Sequence, residues 1–198
     1  MAKQNMLKFN IQNVKYSTGS AVEDLTYATS LSLESNYEET NIYGDGEVIL
    51  VLANDQGKTA TLGVVDIDNG FEKDLGRLIE IDGGALAEVQ QHGSIPVDIY
   101  YEVEAFDAGQ KIVIKNWLFN VTVGKATESY DQTTDVVNFG TFEYPLTISG
   151  SKLKAATGSD DFVDANGNTV KVYRATTYPG DADYETFGDS VPELKAKA

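Results

Sequence analysis

The chain has 198 residues, 41 % of them hydrophobic, so one globular domain with a full core is within reach and disorder is excluded. With 31 acidic against 15 basic side chains the formal net charge is −16, which opposes binding to phosphate backbones and anionic membranes and keeps a concentrated protein soluble; DNA could pass such a surface without adhering. The absence of cysteine excludes disulfides, thiolate metal sites and cysteine nucleophiles.

In chain order, the segment Met1 to Asn10 has no apolar run of signal-peptide length, and no later segment reaches the ~20 apolar residues of a membrane span, so the reading is a soluble protein made in the cytoplasm. Met6 to Tyr16 is strand-like, and Tyr27 to Glu34 alternates through Leu31 and Leu33. Asn36 to Gly46 is polar, glycine-punctuated and longer than a tight hairpin needs; it reads as a loop, either an ordinary surface loop or one offering Tyr37, Ile42 and Tyr43 to a neighbour. Glu47 to Ala53 is an apolar run suited to a strand. Asn54-Asp55-Gln56-Gly57 carries turn chemistry before Lys58 to Ile67, which predicts a hairpin between the two runs.

Asp68 or Asn69 can cap a helix running through Phe71, Leu75, Leu78 and Ile79, with four apolar groups on one side. From Ile95 to Phe106 the alternation is cleanest: Val97, Ile99, Tyr101 and Val103 share one face, and Asp98, Tyr100, Glu102 and Glu104 form an opposite, acidic and solvated one. Asp107 to Gln110 is a turn, and Lys111 to Thr122 returns as a strand whose parity changes between Ile114 and Trp117, predicting a bulge near Lys115-Asn116. Asp135 to Ser149 is a further strand carrying Val137, Phe139 and Phe142, with an edge or bend at Tyr144-Pro145. Beyond Gly150 the hydrophobic spacing loosens. This divides the chain into a β domain over 1–150 and a C-terminal part over 151–198, with a hairpin turn at Asn166-Gly167 and an arm or short helix from Tyr178 lying over the same domain.

A search for chemistry returns no convergent set. The single histidine, His92, lies in a turn-like Gln90-Gln91-His92-Gly93-Ser94 with no nucleophile elbow. Glu102 and Glu104 could pair as acid and base, but in so acidic a chain such pairs arise by chance. Asp66-Ile67-Asp68-Asn69-Gly70 resembles the start of a calcium loop with the glycine one position early and no closing glutamate; Asp181, Asp183 and Glu185 alternate as an acidic tail would. Gly83-Gly84 lacks the spacing of a phosphate or dinucleotide loop, and Asn120-Val121-Thr122 is a glycosylation sequon without a secretory signal. No catalytic residue, metal site or cofactor is expected, and the chain reads as a structural protein and not an enzyme.

Several words in their order resemble one family, the major tail proteins that build the tail tube of long-tailed bacteriophages. They are Asn5-Met6-Leu7-Lys8-Phe9 with Val14-Lys15-Tyr16, Leu31-Ser32-Leu33, the Tyr37 to Gly46 loop, Thr61-Leu62 before the helix around Phe71 to Leu78, and Phe142-Glu143-Tyr144-Pro145-Leu146. The resemblance implies a β-sandwich or barrel-like domain with one short flanking helix, six copies per ring, and rings stacked into a tube that delivers DNA. It implies an inter-ring role for the long loop, here Tyr37, Glu38, Glu39, Ile42 and Tyr43, and an acidic lumen to which Asp98, Glu102 and Glu104 are assigned. The implied partners are further copies of the chain, tape-measure, terminator and distal tail proteins, and DNA passing without specific binding; the implied location is the virion tail. The stretch after Gly150 departs most from the family pattern. Two other classes compete: a carbohydrate-binding or adhesive β-sandwich, suggested by 11 tyrosines and acidic loops, and a small carboxylate hydrolase.

Overall fold

A computed structural model describes residues 6–19, 21–25, 27–130 and 141–197. The fold is mainly β with one short helix, as the alternation leads one to expect. In chain order the strands are β1 (Leu7–Ser17), β2 (Glu23–Asp24), β3 (Ala28–Gly44), β4 (Glu47–Val64), β5 (Leu78–Glu80), β6 (Leu86–Glu88), β7 (Pro96–Asp107), β8 (Gln110–Val123), β9 (Thr127–Ser129), β10 (Thr141–Ile148), β11 (Ser151–Lys152), β12 (Lys171–Val172) and β13 (Arg174–Thr177); the helix α1 is Asn69–Asp74. Nine strands make one antiparallel sheet in the order β2-β1-β7-β8-β10-β4-β3, with β13 added to β8 and β9 to β10; β5–β6 and β11–β12 are separate small pairs.

The sheet curls around a core, so that β1, beside the two-residue end strand β2, approaches the other end strand β3. Inward side chains come from the paired strands, among them Leu62, Ile99, Leu118, Tyr144 and Ile148, and Phe71 of α1 with its C-cap Leu75 closes the core from one side. The opposite face of β7 and β8 carries Tyr100, Trp117 and Phe119 and is covered by the chain after β13, through Phe187, Val191 and Leu194. Two-sided burial of this kind needs apolar groups at successive positions, which is why β8 reads Trp-Leu-Phe at 117–119.

Pro145 sits inside β10 where a missing N–H costs least: Thr141–Glu143 pair with β9 and Leu146–Ile148 with β8, leaving Pro145 between the two pairings. Its carbonyl accepts the Gly124 N–H at 2.7 Å. Val137 and Phe139, assigned above to this strand, lie outside the described residues. At Asn166-Gly167 the expected turn is formed, with the Asp164 carboxylate accepting the N–H groups of Asn166 and Asn168.

Five expectations are corrected by the structure. The helix keeps its Asp68 cap, whose carboxylate accepts from Gly70 and Phe71, but ends at Gly76. Gly76 adopts φ +69, and the paired bonds from Gly76 N to Lys73 O and from Arg77 N to Glu72 O form a Schellman termination, so Leu78 and Ile79 belong to β5. The parity problem in β8 has a different cause. Trp117 and Phe119 truly face away from Leu118, and the bulge lies at Phe119-Asn120, where Asn120 has φ +52 and two residues oppose Asp98. The other three, at Asn54–Gly57, at Asn36–Gly46 and on the acidic face of β7, are described with the site.

Candidate functional site: a projecting β-ribbon

Residues 54–57 do not turn the chain. Strand β4 runs through them, and the glycine serves a bulge: opposite Asn36 the register slips between Ser35 and Tyr37, and Gly57 has φ +94 with its N–H bonded to the Asp55 carboxylate at 3.0 Å. The reversal comes instead at Asp45-Gly46, both at positive φ (52 and 84), closing a two-residue type I′ hairpin between Gly44 and Glu47. The supposed loop Asn36–Gly46 is therefore half of an antiparallel ribbon. Asp-Gly was the signal that could have revealed it, but the polar stretch before it masked the alternation.

The ribbon leaves the body at Lys58. Strand β10 pairs with β4 only over Lys58–Val64, so the outer part of β4 has β3 as its one strand neighbour among the described residues. Eight registered pairs from Tyr37↔Asp55 to Gly44↔Glu47 give a projection of about 25 Å. All its described side chains are exposed, including large apolar ones on both faces: Tyr37 and Val51 on one, Ile42 and Leu50 on the other, with Tyr43 and Ile49 near the tip at 65 % and 70 % exposure. An unsupported two-stranded ribbon is marginal in water, and an exposed Val-Ile-Leu-Val run is an aggregation hazard unless something covers it.

Charged groups on the ribbon are of one sign. Glu38, Glu39, Asp45, Glu47 and Asp55 are carboxylates, and no lysine or arginine occurs between 36 and 55. The Tyr37 hydroxyl donates to Glu39 at 2.8 Å, and that hydrogen bond to a carboxylate pushes the phenol pKa upward. The ribbon presents five carboxylates, a Tyr37–Glu39 hydrogen bond and exposed apolar groups. It offers apolar area and strand edges inside an acidic fringe, which suits contact with another protein surface.

The acidic face assigned to β7 is not solvated. Glu102 and Glu104 are 9 % and 8 % exposed and are engaged inside the chain. Glu102 accepts from the Tyr100 hydroxyl (2.7 Å), Asn13 Nδ2 (2.8 Å) and Gln12 Nε2 (3.2 Å). Glu104 is held by Lys111 Nζ (2.5 Å) and Asn10 Nδ2 (3.1 Å), an arrangement in which the Lys111 contact, aided by Asn10, lowers its pKa. Asp98 is half-buried and accepts the Asn120 N–H of the β8 bulge at 2.8 Å; burial pushes its pKa up, and that bond pulls the other way. The three carboxylates thus tie β7 to β1 and β8. Sequence alternation identified their common side but could not show that β1 and the C-terminal segment cover it.

The remaining candidates stay apart. His92 is exposed. Asp68 caps α1, Asp66 accepts its neighbour's N–H, and Asp181 and Asp183 accept from Thr177. Among the described residues no three His, Cys, Asp or Glu side chains converge on a point that could hold a metal ion. No helix among them is long and apolar enough to cross a membrane.

No family model matches the sequence, and no curated protein matches it. Among solved structures, the chain is similar to the tube-terminating cap of the anti-feeding prophage determined by cryo-electron microscopy, at 17 % identity and a TM-score of 0.43, covering 72 % of this chain and 89 % of that one. That likeness is too loose to carry a function from one chain to the other.

Proposed function

We propose that this chain is a structural virion protein that polymerises through its β3–β4 ribbon into stacked rings, forming the tail tube of a long-tailed bacteriophage. The supporting observation is the ribbon: an apolar, two-stranded projection with no covering partner among the described residues, of a length suited to bridging to another subunit. Ring closure pairs sheet edges that a monomer leaves open, so assembly uses what is otherwise a liability. Hexameric rings follow from the family resemblance. The net charge of −16 suits a conduit through which DNA slides without adhering. Within this reading the chain is not an enzyme, and its further partners are other tail components at the two ends of the tube.

Negative-stain electron microscopy of the purified protein at high concentration, with and without a tail-tip extract, tests the proposal. Tubes or rings of uniform diameter are the expected result. Monodisperse particles under both conditions would overturn it.

A further inference from the structure

We infer that the cleft between β1 and β3 is the receptor for the ribbon of a second copy of this chain. The inference rests on the ribbon being an assembly element and adds where it docks. The cleft has a volume of about 400 Å³ and lies where the two ends of the curled sheet face each other. Its apolar lining comes from Phe9 and Ile11 on one side and Leu31 and Leu33 on the other.

Charge selects the occupant. In a chain with twice as many acids as bases, this cleft is lined by two cations, Lys8 and Arg174, and by no carboxylate. Neither cation is in an ion pair among the described residues. The ribbon is the counterpart, with five carboxylates, no cation, and exposed aliphatic and tyrosine side chains between them. Two surfaces of a net acidic molecule can meet with least repulsion where one of them is locally cationic.

Geometry excludes the chain's own ribbon. The ribbon departs from the body beyond Leu33 and carries Tyr43 ten residues further along β3, about 30 Å away along an extended strand, so its tip points away from the cleft at its base. The occupant therefore comes from another copy. Because ribbon and cleft are different patches, a one-way contact between them is heterologous, and its repetition generates a closed ring or an open stack. The β1 edge that borders the cleft is irregular, with Asn10 and Asn13 at φ +51 and +48 and register slips at both places, which disfavours a strand added in register. The ribbon is accordingly received by its side chains.

The lack of native cysteine makes the test clean. Copies carrying Ile49→Cys are mixed with copies carrying Thr29→Cys, or with copies carrying the exposed control Ser159→Cys, then assembled and oxidised. A cross-linked dimer with Thr29→Cys and none with Ser159→Cys is expected. Assemblies without the first link overturn the cleft while leaving ribbon-driven assembly standing; absence of assembly from the unsubstituted chain, with or without the tail-tip extract, overturns both. Independently, Lys8→Glu with Arg174→Glu should raise the concentration needed for assembly roughly tenfold at unchanged monomer melting temperature, and Glu39→Lys with Glu47→Lys in the same chain should restore it. An unchanged threshold in the Lys8→Glu/Arg174→Glu chain contradicts the inference.

Discussion

A β-carbon added to Gly57 would stand 2.6 Å from the carbonyl oxygen of Ile148, at the point where β4 leaves the body sheet. The neighbour is backbone and cannot step aside cheaply, and the glycine's φ of +94 is itself strained for any other residue. Gly57 thus fixes how the ribbon emerges. Replacing it with alanine is expected to destabilise the monomer by about 2–4 kcal/mol, combining a strained φ with local overpacking, as urea denaturation would measure. A loss under ~0.5 kcal/mol would show that the bulge tolerates a side chain.

Arg77 is a second anchor, 2 % exposed, below the helix. Its guanidinium donates to the Val123 carbonyl, to the Gly124 carbonyl at 2.9 Å, to Gln91 Oε1 at 3.1 Å and to Glu72 at 3.3 Å. Arg77→Ala leaves Glu72 and two carbonyls unpaired in the interior and is expected to cost about 3–5 kcal/mol. Nearby, the buried Tyr144 hydroxyl makes no well-formed hydrogen bond among the described residues, although the Glu72 carboxylate lies beside it, so Tyr144→Phe should be neutral or slightly stabilising. Thermal melts of the two variants test the contrast.

The C-terminal segment is held by Trp117, the sole tryptophan, whose Nε1 donates to the Phe187 carbonyl at 2.6 Å. Lys115 adds a bond to the Tyr184 carbonyl at 2.8 Å and lies over the Tyr184 ring. Phe187→Ala should cost about 3 kcal/mol or more and shift tryptophan emission to the red as water reaches the indole. Unshifted emission would mean the covering does not depend on Phe187.

Asp98 gives a pH dependence of definite sign. Burial raises its folded-state pKa above the ordinary 3.8, so the folded state binds the proton more tightly than the unfolded one. Its contribution therefore favours folding at low pH and is lost as pH rises from the unfolded value through the raised one. Asp98→Asn keeps an acceptor for the Asn120 N–H while removing the buried charge, and should flatten that part of the stability–pH curve. A steeper decline in the variant would reverse the assignment.

How much of this was legible in the sequence depends on what each element packs against. β7 and the Asp68 cap were readable because alternation and a capping carboxylate act locally. The helix end was misplaced because Leu78 and Ile79 continue an apolar spacing that Gly76 interrupts. In β8 the apolar residues on successive positions looked like a slipped register, since nothing local announces that residues 187–194 return to cover Trp117. The ribbon was the hardest to read. Its inner part alternates because one face is buried, whereas its outer part has no buried face to impose a period, and Asp55-Gln56-Gly57 has the same letters in a bulge as in a turn.

The most direct test of ribbon-driven assembly removes the ribbon alone. Excising Glu39 to Ala53 and joining Glu38 to Asn54, which are register partners, through Asp-Gly preserves the antiparallel pairing and the body sheet. Sedimentation velocity and electron microscopy would compare this chain with the full one under conditions in which the full chain forms tubes. A shortened chain that melts as the full-length monomer does yet stays monomeric at every concentration is the expected result, whereas tubes of the same diameter at the same threshold would contradict the assignment of assembly to the ribbon.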